Sequence, residues 1–211
     1  MTIRKGQDWG TMQPAGPSTV IVGTDAELRS YVIAHRGSAV LPSIGLTGGD
    51  LLRTLGGSGD RRRFDGSEAI PHLPIDLVHV VADEQRETVF LAHLIARGSR
   101  WRGTWWRGQV TAAMNAQFLG AWNVAPRGHP NDGRLDVVIV SSDLGPRQRW
   151  QARSRVRLGT HVPHPLITAR QAVSTVIELA GQTPLVVDGQ RWGSARHLSL
   201  TVEPDALTVC I

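Results

Sequence analysis

Residues 126–133, PRGHPNDG, constrain this chain more than any other stretch. Two prolines, two glycines and an Asn-Asp-Gly tip leave no helix able to cross it. The flanks read as strands. Residues 109–118 alternate loosely between small polar and apolar side chains, and residues 135–140 are a β-branched run suited to a buried strand. Asp132 and Asp136 flank the turn where an aspartate could serve a ligand or a metal. The plainer alternative is that Asp132 closes an Asx-type turn and Asp136 opens a strand.

The N-terminal part has a different rhythm. Residues 1–18 carry Gly, Pro and polar residues without period and are expected to be an extended lead-in. Residues 19–22 read as a buried strand, Gly23-Thr24 as a turn, and 25–35 as a helix with Asp25 acting near its N-terminus. A second short strand at 40–44, a turn at 45–50 and a helix at 51–55, ended by Gly56-Gly57, repeat that order. A strand, a glycine turn and a helix form the arrangement that holds phosphates on helix N-termini.

Residues 58–74 read as a polar, arginine-bearing connector, and 75–82 with 88–95 as a hairpin opening a β-rich part. Residues 146–158 (PRQRWQARSRVRL) predict a strongly basic surface helix with a thin stripe of Trp150, Val156 and Leu158. Residues 168–179, 184–187, 197–202 and 207–211 read as closing strands, with turns at Gly181, Asp188-Gly189 and Pro204-Asp205. His161 and His164 have a spacing that could ligate a metal on a helix, but prolines forbid one there and no third ligand is evident.

Residues 97–108 (RGSRWRGTWWRG) place Trp101, Trp105 and Trp106 among Arg102, Arg107 and other arginines. Three readings compete. Indoles and guanidiniums suit a membrane–water interface. They also suit stacked single-stranded nucleic acid, or an intramolecular Trp/Arg stack covering one end of a sandwich. With no RNA-binding signature and no DNA-reading helix, nucleic acid ranks last.

Charge adds little. The net charge is +5, yet Lys5 is the one lysine, a skew that codon bias explains as well as selection does. The single cysteine, Cys210, excludes a disulfide framework and a cysteine-rich zinc site. No secretory h-region or bilayer-length apolar run is present, so the expected location is cytoplasmic, with peripheral contact at the inner membrane face.

Several small motifs together resemble the diacylglycerol kinase family, which is shared with sphingosine kinases and distantly with NAD kinases. Asn115, Gly120, Ala125-Pro126 and Asp132-Gly133-x-Leu135-Asp136 follow its Asn-Gly, Gly-Gly, Ala-Pro, Asp-Asp-Gly-Leu-Leu-Asp series in order and spacing. Ile75-Asp76-Leu77 matches its Ile-Asp-Leu strand start. Residues 22–28 are similar to its Gly-Gly-Asp-Gly-Thr nucleotide loop, and residues 47–56 to its Gly-Thr-Gly-Asn-Asp-x-Ala-Arg-x-Leu-Gly segment. Val187-Asp188-Gly189-Gln190 resembles its Val-Asp-Gly-Glu.

The resemblance implies an α+β fold: a small α/β remnant of a nucleotide domain at 19–57, a linker at 58–74 and a β-sandwich at 75–211. It implies Gly23, Thr47, Gly48 and Asp50 as cofactor-binding and Asp25 and Asp132 as catalytic in an active enzyme. ATP and magnesium would be the cofactors, with Asp132 and Asp136 as metal ligands and the Trp/Arg stretch as ligand or membrane contact. The departures point the other way. Thr24 and Ala26 replace glycines, where a Cβ holds phosphate away. Glu27 adds negative charge, and Gln190 is an amide that cannot act as a base. Only eighteen residues precede Thr19, and the family's upstream strand–helix units need roughly 30 or more each. The leading expectation is therefore a catalytically impaired relative that binds a lipid or amphipathic ligand. An active minimal lipid kinase, completed by a homodimer, and a non-enzymatic regulatory subunit of a kinase paralogue are the alternatives.

Overall fold

The computed structural model describes residues 9–37, 42–98 and 105–211. Trp101 and Arg102 lie outside the described residues, as do the first two residues of the strand expected at 40–44. In chain order the strands are β1 (Thr11–Pro14), β2 (Val20–Val22), β3 (Ile44–Leu46), β4 (Ala69–Ala82), β5 (Arg86–Phe90), β6 (His93–Arg97) and β7 (Val110–Met114). They continue with β8 (Phe118–Leu119), β9 (Trp122–Asn123), β10 (Leu135–Val140), β11 (Ile167–Ala172), β12 (Ser174–Val187) and β13 (Gln190–Cys210). Helix α1 (Asp25–His35) follows β2, α2 (Gly49–Leu55) follows β3, and α3 (Pro146–Arg157) follows β10.

The long strands dominate. The main sheet runs β1-β4-β13-β12-β6-β7-β10-β11, with β5 beside β4. Strands β2 and β3 pair in parallel, and β3 pairs in parallel with the end of β13, Ile44 opposite Val209. The α/β segment is thus built onto the sandwich sheet. Its Leu28, Val32, Ile44, Leu46, Leu51 and Leu52 share one buried cluster with Leu73, Ile75, Leu91 and Val209. A second cluster fills the space between β4, β6, β10, β12 and β13, and a third lies between β7, β10 and α3.

Several expectations are corrected. The strand expected at 88–95 breaks at Leu91-Ala92, because the amides of Leu91, Ala92 and His93 turn toward the buried Asp188 carboxylate. The turns expected at Gly181 and Pro204-Asp205 are register shifts inside continuous strands β12 and β13. The expected strand at 168–179 breaks at Val173, where β11 ends and β12 begins. Strand β4 starts at Ala69, within the stretch read as connector, after a 3-10 turn at Arg61–Phe64.

Helix α1 begins on a cap that accounts for two of the odd residues of its loop. Thr24 is the N-cap, its hydroxyl accepting from the Glu27 amide at 3.1 Å, while the Glu27 carboxylate accepts from the Gly23 amide at 2.7 Å. This is a Thr-x-x-Glu capping box, displaced by one residue on the return bond. Asp25, expected to act at the start of its own helix, instead accepts from the Asp50 and Leu51 amides at 2.6 and 3.2 Å and caps α2.

Candidate functional site

The two glycine turns meet face to face. Thr47 donates its hydroxyl and its amide to the Val22 carbonyl, at 3.0 and 2.9 Å. A Cβ on Gly48 would run into the Gly23 carbonyl oxygen, and one on Gly49, at φ +100°, into the Asp25 carboxylate. Glycine here serves a close approach of backbone to backbone. The structure does bring Gly23, Asp25, Thr47, Gly48 and Asp50 together, but their polar atoms are largely spent on one another.

Beside them sits His93, which sequence reasoning missed. Its Nε2 lies 2.9 Å from Asp50 Oδ2, while Asp50 Oδ1 accepts from the Gly120 amide at 2.8 Å. Among the described residues, Asp25, Asp50 and His93 are the group of three whose ligand atoms lie close enough to share an ion. Burial raises Asp25 to about 6, helped by repulsion from Asp188 and opposed by its two amide bonds. Burial alone would lower His93, but the Asp50 hydrogen bond and the charges of Asp188, Asp50 and Asp25 lift it above its ordinary value. The imidazole thus sits among three carboxyl groups that favour its protonated form. Magnesium takes a near-octahedral set of oxygens. One imidazole, an Asp25 already bonded twice to α2 amides and an Asp50 bonded to His93 and Gly120 do not fit it.

Gln190 stands beside a buried arginine. Arg29, buried on α1, donates to Gln190 Oε1 at 2.7 Å, and its Nε and second terminal nitrogen have no partner among the described residues. Asp188 is buried and accepts from Leu91, Ala92 and His93 at 3.1, 2.9 and 3.0 Å. Burial raises its pKa, with the His93 charge pulling the other way.

The PRGHPNDG turn docks on a residue that spacing did not single out. Asp76, fully buried on β4, accepts from the Gly133 amide at 2.7 Å, the Asp205 amide at 3.0 Å and the Asn131 side-chain amide at 3.2 Å. Asp132 accepts from the Arg134 amide at 2.9 Å, which is the Asx turn. Asp136 accepts from Gln171 at 3.3 Å and faces a broad groove of about 1030 Å³ that Arg127 also lines. Neither belongs to a three-ligand group among the described residues.

Burial also raises Asp132, to about 6, with Asp136 and Asp76 adding repulsion. A carboxyl raised in the folded state stabilises the protein below its unfolded pKa and loses that contribution as pH rises through the folded one. Asp132→Asn, which keeps the Arg134 acceptor, is therefore expected to be more stable than the parent above pH 6. The difference should close as pH falls toward 3.8. Urea titrations from pH 4 to 8 check this, and a pH-independent difference would show that the Asp132 charge is not the cause.

The third feature is a cavity. Helix α3 packs over β7 and β10 and encloses about 280 Å³, lined by Trp105, Ala112, Leu119, Trp122, Val138 and Ile167 among others. Arg97 stacks on Trp105 at 4.9 Å and Trp105 meets Trp122 edge-on at 5.1 Å, an intramolecular arrangement of the kind given by one of the three readings of this stretch. Trp106 lies at the rim, and Arg107 is exposed beyond it. Two buried polar side chains, Arg149 and His161, line the apolar walls. His161 is 6 % exposed, and its ring nitrogens have the Val124 backbone nearby but make no well-formed hydrogen bond among the described residues. Burial lowers its pKa, partly offset by the Val124 backbone, so the ring is neutral at pH 7. His164, expected only as a weak metal candidate, accepts from the Leu166 amide.

Residues 80–211, well over half of the chain, match the family profile described as the YegS C-terminal NAD kinase beta sandwich-like domain. No curated protein sequence matches the chain. Three solved structures described as diacylglycerol kinases from Bacillus anthracis str. Sterne, two under a provisional assignment, share its fold. The first aligns with TM-score 0.67 at 14% identity over 91% of this chain and 77% of the other. The second aligns with TM-score 0.66 at 13% over 90% and 77%, and the third with 0.59 at 14% over 90% and 75%. No described helix is long and apolar enough to cross a membrane.

Proposed function

The chain belongs to the YegS C-terminal NAD kinase beta sandwich-like family, and from that premise we propose that it is a lipid-kinase-fold protein which binds the acyl part of a lipid without transferring phosphate. The observation that carries the reading is the apolar cavity under α3 with the buried His161 in its wall. At about 280 Å³ it sits just below the roughly 300–1,000 Å³ of small-molecule pockets. It suits one short acyl chain. A neutral imidazole offers one donor and one acceptor, which matches a hydroxyl, ester or carboxyl group of an amphipathic ligand.

The nucleotide side supports the second half of the proposal. Phosphate binding on a glycine loop needs free amides at a helix N-terminus. Here the Gly23 amide is covered by the Glu27 carboxylate and the Glu27 amide by Thr24. A carboxylate stands where an anion would have to enter. The residues that depart from the family loop have turned it into a helix cap.

The test is a chain-length series of diacylglycerols, from dibutyryl to dioctanoyl, followed by calorimetry on the purified protein. Each buried methylene contributes about 0.8 kcal/mol, so affinity should rise about fourfold per methylene and level off when the cavity is full. Ala152→Trp, which fills the cavity from the half-buried inner side of α3, should weaken the longest member at least tenfold with melting temperature retained. ATP with magnesium should give no heat. Chain-length-independent affinity would sink the lipid reading, and micromolar ATP binding would sink the impairment.

A further inference from the structure

The outer face of α3 combines arginines with large exposed apolar side chains. The helix carries Arg147, Arg149, Arg153, Arg155 and Arg157 and no acidic residue. Arg149, Ala152, Arg153 and Val156, at spacings of three and four, form the inner face against the cavity. Positions 147, 150, 151, 154 and 158 recur at the same spacing on the opposite face. There Trp150 is 68 % and Leu158 76 % exposed, among the most exposed large apolar side chains of the described residues. Arg147, Arg153, Arg155 and Arg157 are exposed, and none of them is in an ion pair among the described residues. Trp106, 41 % exposed, stands at the cavity rim beside this helix.

We infer that α3 is a membrane-docking helix that lies on an anionic bilayer with Trp150 and Leu158 inserted at headgroup depth. The argument is charge and shape together. An interfacial helix presents apolar and aromatic side chains flanked by arginines, and it needs low mean hydropathy so that it rests on the surface without spanning it. Arginines near an anionic leaflet contribute about fivefold in affinity each, while the exposed aliphatic Leu158 beside Trp150 supplies an apolar insertion that nucleic acid, which stacks its bases on aromatic rings, would not reward. Position agrees as well. The same helix roofs the apolar cavity, so docking its outer face sets the rim at Trp106 and Arg153 against the lipid. This last step rests on the acyl-binding reading, whereas the docking itself does not.

The experiment is co-sedimentation of the full chain with vesicles of phosphatidylcholine alone and of phosphatidylcholine mixed with phosphatidylglycerol, whose anionic headgroups give the surface a negative potential. Binding is expected to the anionic vesicles, to fall steeply between low and high salt, and to weaken at least tenfold in Trp150→Ala/Leu158→Ser. Arg147→Glu/Arg157→Glu should do the same. Arg62→Glu/Arg63→Glu, on the 3-10 turn, should bind like the parent. All four positions on α3 are exposed, so melting temperatures should hold. Ala152→Trp should still dock, and the outer-face variants should still bind dioctanoylglycerol in solution, which separates this inference from the cavity reading. Equal binding to neutral vesicles, or outer-face variants that bind like the parent, would overturn it. So would single-stranded DNA bound through the same residues with no vesicle binding.

Discussion

Asp188→Ala is expected to be the most damaging single truncation in the chain, lowering unfolding free energy by roughly 3 kcal/mol or more. The carboxylate is buried and accepts the Leu91, Ala92 and His93 amides where β5 gives way to β6. Removing it strands three buried donors at once, and each unsatisfied buried group costs about 1–3 kcal/mol. Against a total stability of about 5–15 kcal/mol this approaches unfolding at ambient temperature. Asp188→Asn should fall between parent and alanine, since its one amide oxygen replaces two carboxylate oxygens while its NH2 faces donors. Urea denaturation measures both. A loss under 1 kcal/mol for alanine would mean that the kink between β5 and β6 holds itself. The turn geometry adds a control, because Asp188 adopts φ 45° and Gly189 φ 82°, so Gly189→Ala should cost about 1–2 kcal/mol through the backbone alone.

Arg149→Ala is the second large expected effect, at about 2–4 kcal/mol, with loss of acyl binding as well. The guanidinium donates to the carbonyls of Leu144, Trp105, Gly108 and Ser141 at 2.7, 2.9, 2.6 and 2.9 Å. These carbonyls belong to the Trp-bearing segment and to the approach of α3, so one side chain ties the wall of the cavity to its roof. Burial lowers the pKa of Arg149, a cost that only a full set of acceptors offsets. Arg149→Lys should recover part of the stability, because an ammonium presents three donors from one point and cannot span four carbonyls in a plane. Hydrogen exchange should show faster exchange at 105–110 and 141–158 in the alanine variant. Unchanged protection there would assign the latch elsewhere.

What was readable from the chain depended on distance along it. Helix α1, the helix following Thr47-Gly48 and the turn at 126–133 follow from neighbours a few residues apart. The cap of α1 was also readable, since Thr24 and Glu27 have the spacing of a capping box, though the same residues count as damage when compared with a phosphate loop. Asp76, His93 and Asp188 were not readable as partners. Asp76 meets Gly133 and Asp205, and Asp188 meets residues 91–93, pairings that only the folded sheet creates. The continuous β13 was hidden for a related reason. Pro204-Asp205 carries a turn signature, but Asp76 accepts the Asp205 amide and absorbs the irregularity within the strand. The cavity left no pattern, because Ala112, Trp122, Val138 and Ile167 converge from separate elements under α3.

The pairing of Ile44 and Gly45 with Val209 and Cys210 has a kinetic consequence. The hydrophobic cluster of α1 and α2 is completed by Leu73, Ile75 and Leu91 and, from the far end of the chain, by Leu207, Val209 and Ile211, so these helices have little to rest on until the sheet has formed. Closing so long a loop must precede the contacts that reward it, and a sheet dominated by such pairings folds over milliseconds to seconds. During that interval β2 and β3 would stand as unpaired apolar edges. Refolding yield should accordingly drop with protein concentration, and exposed-strand association, rather than loss of native stability, should set how much of this protein a cell recovers after heat.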